Sequence, residues 1–494
     1  MVSPYLSDRQ LSELHKSIIQ YLSTSILDPQ SQDTSVILDQ LVSKLIPDTQ
    51  SYQSYQENLS TSIPPNYLEK KWSTVLNLQK RIYELEKDLE TQTKLVEDYD
   101  SLLLQNGTTL SSKDKSNWLP KRVRATLRYH QCSVTALAIH PYNSLLVTAG
   151  QDGSIVVWNL LDLSEPIKVI TNAHSRTVNC LSFQMATDST SQSILLASAS
   201  SDLLVKLWDL NSKTFSVPVR TLSGHDHVVS SVIFSHIDPS RLVTCSRDRT
   251  IKVWDISSGW CTKTIRGHSD WVRNIDLATN QEGDDEFLLS CSSDQSVRLT
   301  NLNSGIGIGL CIGHQQVVED VAFLPNNDDD DDSYAKVGYK YCASCGRDNL
   351  IKIWQLPLPD MSSGAPKPAA DPRGKLVYEI EGHTTWVRRL IIHPSGKYLV
   401  SCSDDRTIKF WDLKKIASLI KHRGPTIEPS LVLKDHDNFV NVIRFADPVL
   451  PDEYYKFAGS NDERDKVKAK KLLEQGIRCY LVSGSADCTA KVWV

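Results

Sequence analysis

The chain has 494 residues, a net charge of −5 and an isoelectric point of about 6.2, a balance that argues against a general nucleic-acid or membrane-surface binder. Its apolar runs are far shorter than the roughly 20 residues of a membrane helix, and its N-terminus lacks the pattern of a secretory signal. Eleven scattered cysteines predict reduced, buried thiols of a cytosolic or nuclear protein. Cys342 and Cys345 have no second pair or histidine at zinc spacing, so no metal site is predicted.

Residues 6–46 carry two short amphipathic patterns. In the first, Leu14, Ile18 and Leu22 recur at helical spacing, which predicts a helix with one apolar face. The second pattern ends at a proline, and a polar linker is predicted over residues 47–67.

A heptad pattern over residues 68–104 predicts a coiled coil, because its apolar positions alternate steps of three and four residues. These positions include Val75, Leu78, Ile82, Leu85 and Leu89. A single amphipathic helix packed on the following domain is the alternative, and the polar outer positions favour the coiled coil. Residues 105–121 have no apolar period and are predicted to be a flexible linker.

From residue 122 to residue 494 the chain repeats one pattern seven times. Each copy has a His, then a Ser or Thr, an Asp four residues later, and a Trp six residues after the Asp, which Thr300 replaces in the fourth copy. Such repeats predict the blades of an all-β, seven-bladed WD40 β-propeller. The repeats span about residues 130–160, 174–210, 225–256, 268–302, 314–356, 383–413 and 436–494.

The pattern also predicts how the ring closes. The segment ATLRYH at residues 125–130 resembles the strand that precedes each later His, and no outer strand follows the last Trp. We therefore expect the N-terminal strand to complete the seventh blade and remove an exposed sheet edge. Insertions at residues 326–333 and 446–478 are expected to be solvated loops.

Each repeat contains a hydroxyl, a His and an Asp, the residue types of a hydrolase active site. An active site is built once in a protein, however, whereas this set of residues recurs in all seven repeats. A structural network explains them better, because it satisfies buried polar groups and links strands. In the third repeat its members are His225, Thr244, Asp248 and Trp254. The chain has no nucleophile elbow or phosphate-binding loop, so neither an enzyme activity nor a cofactor is predicted.

One face of the propeller carries the predicted partner site. In an antiparallel blade, the turn with the Asp and the loop with the His lie at the same end, so their neighbours share one face. Arg and Trp, which are enriched at binding hot spots, gather there in the third to sixth repeats. They are Arg247, Trp271, Arg273, Arg347, Trp386, Arg388 and Arg406. The alternative is ordinary solvated turns, with each Trp partly packed on the next blade.

Two N-terminal segments carry a resemblance to a known family. LSDRQLSELHKSIIQYL at residues 6–22 resembles a LisH dimerisation motif. LEKKWSTVLNLQKRIYELE at residues 68–86 closely resembles the start of the coiled coil in the lissencephaly and nuclear-distribution family of WD-repeat dynein regulators. LisH motif, coiled coil and seven WD repeats occur in that order in this family, and the divergent linkers suggest a fungal member.

The resemblance implies a non-enzymatic homodimer that regulates cytoplasmic dynein. Dimerisation would use the apolar positions of residues 6–46 and 68–104 named above. The family's motor contacts match Arg247, Arg273, Arg347, Trp386 and Arg406, and a second contact would map to Asp226 and His227. Implied partners are the dynein heavy chain, a NudE-type coiled-coil protein and a CLIP-type plus-end linker. The implied location is the cytoplasm, at microtubule plus ends and spindle poles, in nuclear migration and spindle positioning.

Two other kinds of WD-repeat protein stay open at this point. A G-protein β-like subunit would pair its N-terminal helix with a small partner chain instead of with itself. A substrate adaptor of a ubiquitin ligase would carry an F-box-like helical segment, which the sequence lacks.

Overall fold

The computed structural model describes Tyr83 and Lys87, which are helical, and residues 117–494 with gaps. The predicted helices, linker and coiled coil within residues 6–104, with their dimerisation positions, therefore lie outside the described residues. The gaps are residues 185–193, 213, 281–284, 326–333, 335, 336, 361–365, 369, 370, 423–426 and 449–475 apart from Lys468 and Leu472. Both predicted insertions fall largely within these gaps.

The described residues form seven antiparallel four-stranded sheets, which are the predicted blades of an all-β propeller. Blades one and two contain β2 (Val134–Ile139), β3 (Leu145–Gly150), β4 (Ile155–Asn159), β5 (Lys168–Ile170), β6 (Val178–Phe183), β7 (Leu195–Ser200), β8 (Leu204–Asp209) and β9 (Arg220–Ser223). Blades three and four contain β10 (Val229–Phe234), β11 (Arg241–Ser246), β12 (Thr250–Asp255), β13 (Cys261–Arg266), β14 (Val272–Thr279), β15 (Glu286–Ser292), β16 (Ser296–Asn301) and β17 (Gly307–Ile312).

Blades five to seven have the same order of strands, and blade seven takes its outer strand from the start of the propeller. They contain β18 (Val318–Phe323), β19 (Tyr341–Gly346), β20 (Ile351–Gln355), β21 (Lys375–Ile380), β22 (Val387–Ile392), β23 (Tyr398–Ser403), β24 (Thr407–Asp412), β25 (Leu431–Lys434), β26 (Val440–Phe445), β27 (Leu481–Ser485), β28 (Thr489–Trp493) and β1 (Val123–Arg128). Helix α1 (Leu413–His422) connects β24 to β25.

The predicted closure of the ring is confirmed. β1 pairs antiparallel with β28, so the first strand completes the last blade. Backbone hydrogen bonds of 3.0 Å from Lys121 N to Val494 O and from Val494 N to Arg122 O extend this pairing. Because β1 covers the edge of β28, that strand is not free to pair with another chain.

The core consists of apolar clusters between neighbouring blades. Seven clusters of buried residues fill the seven gaps, and six of them include the Trp that ends a repeat. The seventh cluster, between blades three and four, contains no Trp, because Thr300 occupies that position. Removing an aromatic side chain from a packed interior leaves space that the surroundings fill only in part.

Every inner strand begins with the same β-bulge. The pairing register shifts around the fifth residue after the His in all seven blades, at Thr135, Asn179, Ser230, Arg273, Glu319, Arg388 and Asn441. In blades seven, one and two this residue bonds to the carbonyl oxygen of the first Val of the next blade, over 2.5–3.0 Å. In blades four, five and six the residue at this position is charged. A bulge re-aims a side chain out of the strand's ordinary alternation.

The end of the predicted flexible linker is part of the propeller. Trp118 is buried against Phe445 and His393, and Asn117 accepts a hydrogen bond from Lys397. The contacts of Asn117 and Trp118 anchor this segment, although it has no apolar period. All eleven cysteines are free thiols and seven of them are buried. Among the described residues, no helix is long and apolar enough to span a bilayer.

Candidate functional site

The His, Ser or Thr, Asp and Trp of each repeat form one buried chain of hydrogen bonds. The His Nδ1 lies 2.7–3.1 Å from the Asp carboxylate. The His Nε2 lies 2.6–2.9 Å from the hydroxyl oxygen. In six blades the Trp indole donates to the same hydroxyl over 2.8–3.1 Å.

This network fixes the ionisation of its carboxylates. Burial opposes ionisation of Asp202, but hydrogen bonds from His174 and from backbone amides outweigh it and lower the pKa of Asp202 to about 2. The hydroxyl is engaged by both the His and the Trp, so it is a structural link between strands. In blade three this chain of hydrogen bonds runs through His225, Thr244, Asp248 and Trp254, the four residues predicted to form it.

Blade four has Thr300 in place of the Trp and so lacks the indole hydrogen bond of the network. This difference allows a matched test of what that bond contributes to stability. Ser344→Ala should leave both the His314 Nε2 and the Trp354 Nε1 without a partner, whereas Ser290→Ala should leave only the His268 Nε2. Because each buried unpaired group costs about 1–3 kcal/mol, we expect Ser344→Ala to lower the free energy of unfolding by about that much more than Ser290→Ala. Denaturant titration followed by tryptophan fluorescence measures both. Equal losses would show that the indole bond contributes nothing.

The seven Asp turns and the seven His loops lie at one end of the propeller, which we call the turn face. The residue before each turn Asp donates its backbone N–H to the carbonyl of the third residue after a His. Arg347 N bonds in this way to Val317 O over 2.9 Å, and Asp404 N to Trp386 O over 3.0 Å. Turn and loop positions are therefore held together by backbone bonds, whatever side chains they carry.

Two Arg–Trp–Arg stacks stand on the turn face. The Trp271 ring lies 5.0 Å from the Arg247 guanidinium carbon and 5.4 Å from that of Arg273. The Trp386 ring lies 4.4 Å from Arg347 and 5.4 Å from Arg388. The two indoles are 37% and 40% exposed, so each has a guanidinium group against it and a surface open to solvent. Six of the seven predicted Arg and Trp residues of blades three to six thus belong to these two stacks.

The Glu319 carboxylate pairs with one Arg of each stack. Its carboxylate lies 2.6 Å from the Arg347 Nε and 3.9 Å from the Arg273 Nη1, and its side chain is only 10% exposed. Burial opposes ionisation of Glu319, but the charges of Arg273 and Arg347 outweigh it and hold its pKa below the ordinary value. Burial and the charge of Arg273 lower the pKa of Arg247, whose buried Nε has no hydrogen-bond partner among the described residues.

The acidic partner of the second stack is Asp404. It accepts two hydrogen bonds from Arg388, over 2.7 and 2.8 Å. These bonds outweigh the effect of burial and raise the pKa of Arg388. The cluster therefore has four guanidinium groups and two carboxylates, which gives it a net positive charge on a protein of net charge −5.

The structure brings some of the other predicted residues to this cluster and leaves one apart. The His227 ring lies 5.9 Å from the Trp271 ring, so the second predicted contact adjoins the first stack. Asp226 is exposed beside it, and its backbone N–H donates to Asp248. Arg406 has a left-handed backbone (φ 65°) and bonds to the Asp437 carbonyl at 3.4 Å, so among the described contacts it joins neither stack.

Sequence reasoning missed Glu319 and its role. The signal was available, because Glu319 occupies the position after His314 that Arg273 occupies after His268 and Arg388 after His383. Such a surface, with exposed indoles, fixed guanidinium groups and excess positive charge, suits a partner that offers carboxylates and apolar side chains. Among the described residues, no group of three or more His, Cys, Asp or Glu side chains could hold a metal ion.

Comparison with known proteins points to one family. The WD domain, G-beta repeat family matches residues 121–159, 164–209, 216–255, 259–301, 308–355 and 374–412. The chain is 38% identical to nuclear distribution protein PAC1 of Komagataella phaffii, across all of this chain and 98% of that protein. It is 39% identical to PAC1 of Candida tropicalis and 31% identical to nuclear distribution protein nudF of Aspergillus niger, in each case across 99% of both chains.

Proposed function

The chain belongs to the WD-repeat family of fungal nuclear distribution proteins, and on that basis we propose that it is a non-enzymatic, homodimeric regulator of cytoplasmic dynein. Its turn face binds the dynein motor domain, and it acts in the cytoplasm in nuclear migration and spindle positioning. Delivery of dynein to microtubule plus ends, through NudE-type and CLIP-type partners, belongs to the same proposal.

The pair of Arg–Trp–Arg stacks is the observation that carries this proposal. Trp and Arg are the residue types most enriched among residues that dominate binding energy. Here ion pairs hold Arg273, Arg347 and Arg388 in place before a partner arrives, so little side-chain entropy is lost on binding. An enzyme activity has no comparable support, because the repeated hydroxyl, His and Asp groups are engaged with one another.

Co-purification of the full chain with a purified dynein motor domain tests the proposal. We expect a complex whose affinity falls as salt concentration rises, because charged groups form the interface. A chain that does not bind the motor domain at low salt would contradict the function.

The oligomeric state is tested separately by sedimentation. The proposal expects a homodimer, in which the second propeller binds at a raised effective concentration. It expects a monomer when residues 1–104 are deleted. A full chain that is monomeric, and that dimerises only with another small chain, would favour a G-protein β-like subunit instead.

A further inference from the structure

The gap between blades three and four contains a cavity where the other blades hold a Trp. Its volume is about 50 Å³, and it is lined by Arg249, Ile251, Ile265, Arg266, Gly267, His268, Ser290, Arg298, Thr300, Gly305, Gly307 and Gly309. Thr300 stands at the Trp position of the repeat and is buried. Its side chain is much smaller than an indole, which accounts for the space.

The side chain that takes part of this space is Arg298. In blades three, five and six, a Cβ added to the Gly before the His would lie 2.8–3.2 Å from the far edge of an indole. At Gly267 in blade four, the nearest atom to such a Cβ is the Arg298 Nη1, at 3.5 Å. A guanidinium group has therefore replaced the edge of the aromatic ring.

Arg298 is also exceptional in its partners. Lys occupies the same position in blades two, three, five, six and seven, and in all of these except blade three its ammonium group donates to the carbonyl oxygen just before the His. The Arg298 Nε is buried and has no hydrogen-bond partner among the described residues. A buried charged donor without an acceptor is costly, and such a group in a native structure requires an explanation.

The charges around the cavity are all of one sign. Three guanidinium groups line it, from Arg249, Arg266 and Arg298, and no carboxylate does. None of these three side chains forms an ion pair or hydrogen bond with any described residue, whereas Arg273, Arg347 and Arg388 on the turn face each have a carboxylate partner. Since Arg249 and Arg266 are exposed and Arg298 is half-buried, the positive groups extend from the surface into the cavity.

We propose that this cavity binds a small oxyanion, namely phosphate or the phosphoryl group of a phosphate monoester. About 50 Å³ holds roughly three or four water-sized atoms, which is the number of oxygen atoms in a phosphoryl group or phosphate. Guanidinium groups bind such oxygens with charge-assisted, often bidentate hydrogen bonds. The anion supplies the acceptor that Arg298 lacks. None of the lining residues belongs to the Arg–Trp–Arg stacks, so phosphate binding and motor binding can be tested with separate substitutions.

Calorimetric titration of the full chain with inorganic phosphate, at constant ionic strength set with chloride, tests the site. We expect saturable binding with a Kd of about 1 mM or tighter, from three charge-assisted contacts. Thr300→Trp should fill the cavity with an indole and weaken binding by at least about 10-fold, and Arg266→Gln should do the same. Arg128→Gln is the matched control, because Arg128 is exposed and precedes His130 by the same two residues as Arg266 precedes His268.

Arg298→Lys guards against a folding defect, because it introduces the residue that five other blades carry at this position and keeps the charge. It should also weaken phosphate binding, since an ammonium group forms no bidentate contact. O-phosphoserine as a second titrant separates the sources: equal affinity indicates a site for a phosphorylated group, and a response to inorganic phosphate alone indicates a free anion. The proposal is overturned if the unaltered chain shows no saturable binding, or if Thr300→Trp, Arg266→Gln and Arg298→Lys bind as the unaltered chain does.

Discussion

Replacing Trp271 and Trp386 together by Ala is expected to weaken binding to the dynein motor domain by at least about 100-fold, since each exposed anchor of this type contributes about 2 kcal/mol or more. The folded state should be preserved. The ion pairs of Arg347 with Glu319 and of Arg388 with Asp404 do not depend on the indoles. Titration of the motor domain at constant salt concentration measures the loss.

Trp260 provides the matched control for this pair. It is 76% exposed, more than either Trp of the stacks, and it lies between β12 and β13, at the end of blade three opposite the Asp248 turn. Trp260→Ala should leave motor binding unchanged. If Trp260→Ala weakens binding as much as the double substitution, the partner surface is not the turn face.

Removing the charge of Glu319 is expected to have the largest effect on stability. Glu319→Gln should lower the free energy of unfolding by about 3–5 kcal/mol, because the guanidinium groups of Arg273 and Arg347 lose their buried counter-charge. Denaturant unfolding at pH 7 measures this loss. Asp238→Asn is the control: Asp238 pairs with Arg241 over 3.1 Å at the surface, where the two side chains are 38% and 48% exposed, so its loss should cost less than about 1 kcal/mol.

The pH dependence of the free energy of unfolding gives a second measure of what the Glu319 charge contributes. The pKa of Glu319 in the folded chain lies below its ordinary value, so its contribution is present at neutral pH and is lost as pH falls through the folded-state pKa. The stability difference between the unaltered chain and Glu319→Gln should therefore shrink when the pH is lowered from 7 to below 4. A difference that does not change with pH would show that the carboxylate acts by shape alone.

The ion pairs of Glu319 with Arg273 and Arg347 also determine which substitutions best test the turn face. Reversing the charges of Arg273 and Arg347 would place new carboxylates against the buried Glu319, so lost binding and lost stability would be hard to separate. The Trp substitutions avoid this problem because they touch no ion pair.

The repeats made most of the propeller predictable. His225, Thr244, Asp248 and Trp254 recur with fixed spacing, and this spacing dictates both the antiparallel blade and the common end of its turns and loops. The meeting of Arg247 with Trp271 and of Arg347 with Trp386 follows from that register. Thr300 broke the pattern in the sequence, and the structure shows the missing indole bond at the same place.

Other features depend on contacts that no local pattern reports. Trp118 lies in a segment without apolar period, and its burial against Phe445 depends on a residue more than 300 positions away. Glu319 was overlooked because a lone acid in a strand normally faces solvent, whereas the bulge turns it towards two Arg side chains. The coiled coil, its dimerisation positions and the motor contacts stay predictions.

The residue at the bulge of each inner strand has different roles in two parts of the ring. Thr135, Asn179 and Asn441 tie their blades to the next one around the seam where the first and last strands meet. Arg273, Glu319 and Arg388 lie roughly on the other side of the ring and carry charge instead. Substitutions of these charged residues therefore remove none of the bonds at the seam, so the partner surface can be altered without weakening the closure of the ring.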